Sequence, residues 1–158
     1  MPEAARPRFP DVYGIHEDAE GLLDWSWATQ RLAEARNYWV STTRPDGRPH
    51  AMPVWGLWHE DAFYFSSAPS SRKARNLETN PAVVVHLESG DEVVVVEGQA
   101  GIVSDAVLLQ RLSADYSGKY GYDVTFTAET RGLVVVEPRV AYAWREEDFP
   151  TSATRFSF

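Results

Sequence analysis

A chain of 158 residues, 44% hydrophobic and 24% charged, fits one globular domain with a sizeable core. Its formal charge of −8 makes it a poor candidate for wrapping nucleic acid, and the lack of cysteine excludes disulfide frameworks, thiolate metal sites and cysteine nucleophiles. The N-terminus, MPEAARPRFPDVYG, has no apolar leader and no apolar run approaches about 18 residues, so a soluble cytoplasmic protein without membrane contact is expected.

Residues 1–23 read as a loosely structured arm. The stretch DWSWATQRLAEARN, residues 24–37, reads as a first helix with Trp27, Leu32 and Ala35 available to one side. The period then changes. YWVSTTRPDGRPHAMPVWGLW predicts a hairpin: a strand over 38–43, a turn at Pro45-Asp46-Gly47, and a strand over 48–58. Pro49 and Pro53 each delete a ladder donor, which predicts an edge or bulged strand. His59-Glu60-Asp61 turns the chain into a third strand, 62–66.

SSRKARNLETNP, residues 70–81, predicts a helix capped by Ser70 or Ser71 and stopped by Asn80-Pro81. Its charges are inverted. Arg72, Lys73 and Arg75 crowd the first turn and Glu78 sits near the end, whereas a helix dipole favours the reverse. The β-branched runs AVVVHLE, EVVVVEGQAGIV and RGLVVVEPRVAYAW follow, and continuous valine suggests strands covered on both faces. Between the last two, residues 104–116 predict an amphipathic helix capped by Ser104, with Gly118 past its end. The sum is six or seven strands with two or three helices. Hairpins dominate, so the expected fold is an antiparallel barrel with peripheral helices in a single domain, residues 1–158, with a core over 38–103 and a helix, last strand and tail over 104–158.

Few residue patterns suggest chemistry. His16, His50, His59 and His86 show no metal-ligand spacing, no GxSxG elbow appears, and no carboxylate pair stands out among 23 acids. No catalytic residue and no metal site is assigned. SSRK combines a helix start, a capping hydroxyl and two cations, the parts of a phosphate cradle, but a solvated basic turn has the same composition. PVWGLW, residues 53–58, is an apolar, donor-poor segment one hairpin away. It can flank a planar ring or pack in a core.

Taken in order, TTRPDGRPHAMPVW, AFYFSSAPSSRKARNLETNP and EVVVVEGQA closely resemble the pyridoxamine 5′-phosphate oxidase-like flavin-binding split barrels. The likeness is strong over residues 38–103 and continues weakly through Lys119-Tyr120-Gly121 to the ATRFSF terminus. It implies a six-stranded antiparallel split barrel and a homodimer with cofactor sites at the interface. It also implies cofactor-binding roles for Ser71, Arg72, Lys73 and Asn76 at the phosphate segment, for Ser66 and Ser67 just before it, and for Pro53, Val54 and Trp55 beside the ring. The chain departs from true pyridoxamine phosphate oxidases at His50–Trp55, where they carry a basic flavin-contacting segment, and at Val93, where they carry Gln. It looks more like the actinobacterial branch that uses the deazaflavin coenzyme F-420, whose acidic tail suits Arg75. The implied function is an F-420-dependent reductase transferring hydride to an unsaturated or quinone-like small molecule, with Tyr120, His50 or water as proton donor. FMN as cofactor, or a non-catalytic flavin or tetrapyrrole binder, are the alternatives.

Overall fold

A computed structural model describes residues 1–130 and 132–158. Its strands are β1 (Glu3–Ala5), β2 (Tyr38–Thr43), β3 (Pro49–Val54), β4 (Gly56–His59), β5 (Ala62–Ser66), β6 (Ala82–His86), β7 (Glu92–Ile102), β8 (Leu133–Arg145) and β9 (Thr154–Ser157). The helices are α1 (Trp25–Glu34), α2 (Arg72–Thr79), α3 (Ala106–Tyr120) and the single turn α4 (Phe149–Ser152). The strands form one antiparallel sheet in the order β1-β9-β8-β7-β6-β2-β3, with β5 joining β8 and β4 joining β5. β8 serves two neighbours on one side: Leu133–Val136 faces β5, and Val140–Ala143 faces β9. β3 and β4 follow one another without pairing, so the sheet wraps round its core and stays open there, a split barrel with peripheral helices. The nine strands exceed the six of the expected barrel through β1, β4 and β9, which have three or four residues each and are too short to show a period.

The inner faces of β2, β5, β6, β7 and β8 supply the main core, with Tyr38, Val40, Phe63, Phe65, Val85 and Val96 fully enclosed. α1 closes it with Trp25, Ala28 and Leu32 buried, and the expected Trp27 and Ala35 pack against the same core only partly buried. A second cluster joins α3, through Leu109, Leu112, Tyr116 and Tyr120, to Leu57, Tyr64 and Leu133. The first two valine runs are fully covered on one face only: Val83, Val85, Val94 and Val96 are buried, while Val84, Val93 and Val95 alternate with them, half-buried. Leu133–Val136 is covered on both faces, Val134 and Val136 by the main core and Leu133 and Val135 by the α3 cluster. With no polar residue interleaved, the sequence cannot tell these two faces apart. The last valine run begins at Arg131, which lies outside the described residues.

Two local expectations change. Residues 1–23 are tied down: β1 pairs with β9, and the Arg6 guanidinium donates to the carbonyls of Asp18, Glu20, Thr151 and Ala153. The cap of α3 is Asp105, not Ser104; its Oδ1 accepts from Leu108 N at 2.7 Å. That helix passes through Gly118 and ends at Gly121, whose φ of 64° is the left-handed stop glycine allows.

β3 is the edge strand that its prolines predict. It runs directly into β4 at Trp55, and this break positions the site.

Candidate cofactor site

The cradle is built at the junction of β5 and α2. Ser66 ends β5 opposite Leu133, and the following Ser67 is turned inward, 5% exposed, its N–H donating to Gly132 O. A turn closed by Ser71 N–H to Ala68 O at 2.9 Å returns the chain to the start of α2. There Ser71 has the extended backbone of an N-cap, and its Oγ accepts from Ala74 N at 3.3 Å. The Ser67 and Ser71 hydroxyls lie 2.7 Å apart, so the two predicted serines form one hydrogen-bonded pair. Of the two capping candidates, Ser71 takes the role. The Arg72 and Lys73 N–H groups fall in the first turn, where a helix offers them no acceptor.

Burial holds the Lys73 ammonium below its ordinary range, and among the described residues no carboxylate comes within salt-bridge distance of Arg72, Lys73 or Arg75. Arg72 and Arg75 are exposed. A half-buried cation without a counter-ion, beside free N–H donors and a hydroxyl pair, fits a phosphate group.

Asn76 lies elsewhere. It is 0% exposed, on the side of α2 facing β2, and its Nδ2 donates to Thr42 Oγ1 at 2.9 Å while Oδ1 is buried without a partner. It anchors α2 to the sheet and offers no surface to a ligand. On the other flank of α2, Ser67, Ala74, Leu77, Glu78, Ala100 and Ile102 border a cleft of about 260 Å³, which gives Glu78 a place at its wall.

The ring segment divides between faces. Val54 pairs with Tyr38 and points into the core, leaving only its backbone outward. Pro53 is exposed on the opposite face, across from Trp39. Trp55 is 36% exposed and lies flat on Tyr120, centroids 4.5 Å apart and planes 8° from parallel, with the Arg36 guanidinium 5.3 Å from its ring. Behind it, the Gly56 peptide is clamped. Its N–H donates to Tyr120 Oη, Tyr120 Oη in turn reaches Gly56 O and Arg36 O, all at 2.8 Å, and Lys119 Nζ donates to Gly56 O at 3.0 Å and to Tyr38 Oη at 2.8 Å. Burial lowers the Lys119 ammonium to about 8 and raises the Tyr120 hydroxyl. Tyr120 is thus engaged in the clamp and is not placed as a proton donor.

His50, five residues before Trp55 on β3, sits at the cradle end. The two are separated by roughly 17 Å of extended chain. Sequence reading passed over Arg36 and Lys119 as site components, and named Tyr120 only as a candidate proton donor. The only signal was the Lys119-Tyr120-Gly121 likeness, which carries no hint of the Gly56 contact.

The model of the pyridoxamine 5′-phosphate oxidase family matches residues 28–145. Among solved structures, an F-420 reductase is 25% identical over 71% of this chain and 94% of its own, with a TM-score of 0.55. The conserved hypothetical protein Rv2991 of Mycobacterium tuberculosis is 24% identical over 82% of this chain and 89% of its own, at a TM-score of 0.67. The heme storage protein HutZ of Vibrio cholerae has the same fold at 18% identity, covering 73% and 87% of the two chains with a TM-score of 0.56. No curated sequence matches.

Proposed function

Since this chain belongs to the pyridoxamine 5′-phosphate oxidase family, we propose that it is a flavin-type oxidoreductase that uses coenzyme F-420 to reduce an unsaturated or quinone-like small molecule. The observation that carries this reading is the start of α2, where Lys73 is half-buried with no carboxylate partner among the described residues, next to Arg72 and the Ser67–Ser71 hydroxyl pair. When bound, such a cofactor supplies the hydride chemistry. Ser71, Arg72 and Lys73 hold the phosphate. Pro53 and Trp55 flank the ring along an edge strand that lacks two N–H donors, and Trp55 is kept in one orientation by Tyr120. The proton comes from water. F-420 is favoured over FMN by Arg75, a third exposed cation suited to an acidic tail, and by the likeness to an F-420 reductase.

A second copy of the chain completes the site. Exposed Pro53 stands in a cross-strand row with the half-buried Trp39, His86, Val95 and Tyr142 on the outer face. A homodimer packed on that face brings a second surface to the ring.

Separate fluorescence titrations with FMN and F-420 decide the cofactor, and the reduced cofactor with a panel of enones and quinones decides turnover. Tight binding with no acceptor reduced would replace the reductase by a ligand-storage protein. Arg72→Ala with Lys73→Ala is expected to weaken binding by about 1.5–3 kcal/mol per lost charge-assisted contact. Unchanged affinity in this double variant removes the cradle.

A further inference from the structure

The cations of the cradle continue beyond α2. Thr42 and His50 are register partners across β2 and β3, so their side chains share a face. That face is the one toward α2, because Thr42 is buried and accepts the Asn76 amide. Arg44 follows Thr42 by two residues, and its N–H to Arg48 O bond of 2.9 Å continues the hairpin ladder, so it belongs to the same side. Arg44 just past β2, His50 from β3, and Arg72 and Lys73 from α2 therefore converge at one end of the barrel.

Among the described residues none of the four lies within salt-bridge distance of a carboxylate, although Arg48, one turn away, pairs with Asp46. Arg44 Nε and His50 Nδ1 are both buried and have no hydrogen-bond partner among the described residues. Burial first, then the charges of Arg44, Lys73 and Arg72, disfavour the imidazolium. Three cations and a histidine exceed what one phosphate monoester, at about −2, requires.

We propose that Arg44 and His50 form a second anion subsite beside the phosphate cradle, taking a further phosphate or carboxylate of the ligand tail, and that a proton enters with it on His50. The proposal rests on the flavin-type reading of the cradle. The physical reason for the proton is a change of sign: an anion placed among these groups converts the field at His50 from repulsive to attractive toward the imidazolium. Binding then raises the His50 pKa. Its contribution to affinity is full below the free-state pKa, itself under the ordinary histidine value, and is lost as pH rises through the bound-state value.

The test uses isothermal titration at near-neutral pH in two buffers of different ionisation enthalpy. The ligands are FMN (one phosphate), FAD (a diphosphate), F-420 (a phosphate with carboxylates) and inorganic pyrophosphate. Arg44→Ala is expected to weaken F-420 or FAD about tenfold or more while changing FMN by less than about threefold. Whichever of F-420 and FAD responds identifies the second group as carboxylate or phosphate. His50→Gln is expected to abolish the buffer-dependent proton uptake seen with that ligand, while the FMN signal stays as in the parent protein. Equal losses for FMN and the tailed ligands in Arg44→Ala, or identical proton uptake in the parent and His50→Gln, overturn the subsite. The two readings fail separately. Should no flavin bind, the proposed function falls, while pyrophosphate binding that is lost in Arg44→Ala keeps the subsite. If Arg44→Ala leaves pyrophosphate binding unchanged as well, the subsite falls too.

Discussion

Gly56 shows how one residue can set the aim of another. A Cβ there would stand 2.3 Å from Phe63 Cζ and 2.7 Å from Tyr64 O, so the backbone can approach β5 only as glycine. Its N–H and carbonyl are both engaged by α3, and the same Tyr120 that binds them carries the Trp55 ring on its face. Tyr120→Phe keeps the stacking surface but leaves the Gly56 N–H without its acceptor, at a cost of about 1–3 kcal/mol in stability measured by denaturant unfolding. Gly56→Ala is expected to cost more, because backbone must move. If the clamp positions Trp55, both variants also weaken cofactor binding, and Tyr120→Phe with unaltered Trp fluorescence and unaltered affinity would deny it that role. None of this is legible locally: Tyr120 lies 64 positions from Gly56 and falls beyond the helix expected over 104–116, where the sequence offered it only as a candidate proton donor.

α2 was the most legible element. A serine before a basic turn and an Asn-Pro after it define its limits, and the observed helix keeps both. Among the described residues its inverted charges have no carboxylate partner. What the pattern hid is which side faces the sheet. Asn76 is polar and sits in a phosphate-binding segment of the family, yet it is the one fully buried residue of α2, since the helix docks on β2 through its amide. Ser71 is the hinge of both roles, capping the helix and meeting Ser67. Ser71→Ala is expected to lower stability by about 1 kcal/mol, within a range of about 0.5–2, read as a drop in melting temperature. Added cofactor should stabilise the variant less than the parent at equal concentration, since the hydroxyl is lost from the cradle. Equal ligand-induced shifts would leave Ser71 as a cap alone.

For the molecule as a whole, alternation is the limit of what could be read. The prolines of β3 disclose an edge because proline removes donors wherever it stands. The valine runs disclose strands but not faces, and only the assembled sheet separates buried Val94 and Val96 from half-buried Val93 and Val95. The outer face is where a second copy is proposed to pack. Val95→Lys is therefore expected to yield monomers by sedimentation while leaving the far-ultraviolet circular dichroism intact, because Val95 lies outside the core. The cofactor should then bind more weakly, since the partner's surface is gone. A monomeric parent protein, or a Val95→Lys dimer, would overturn the arrangement.

The two ends of the main strand order are guarded by different means. β3 protects itself, since Pro49 and Pro53 leave gaps in the row of donors that another strand would need. β9 has no proline and depends on the three residues of β1, pairing Glu3 with Ser157 and Ala5 with Arg155. The Arg6 contacts that fasten this short strand thereby act as a safeguard against edge-to-edge aggregation, and a chain nicked just after Arg6 would present β9 as a template for unwanted β-assembly.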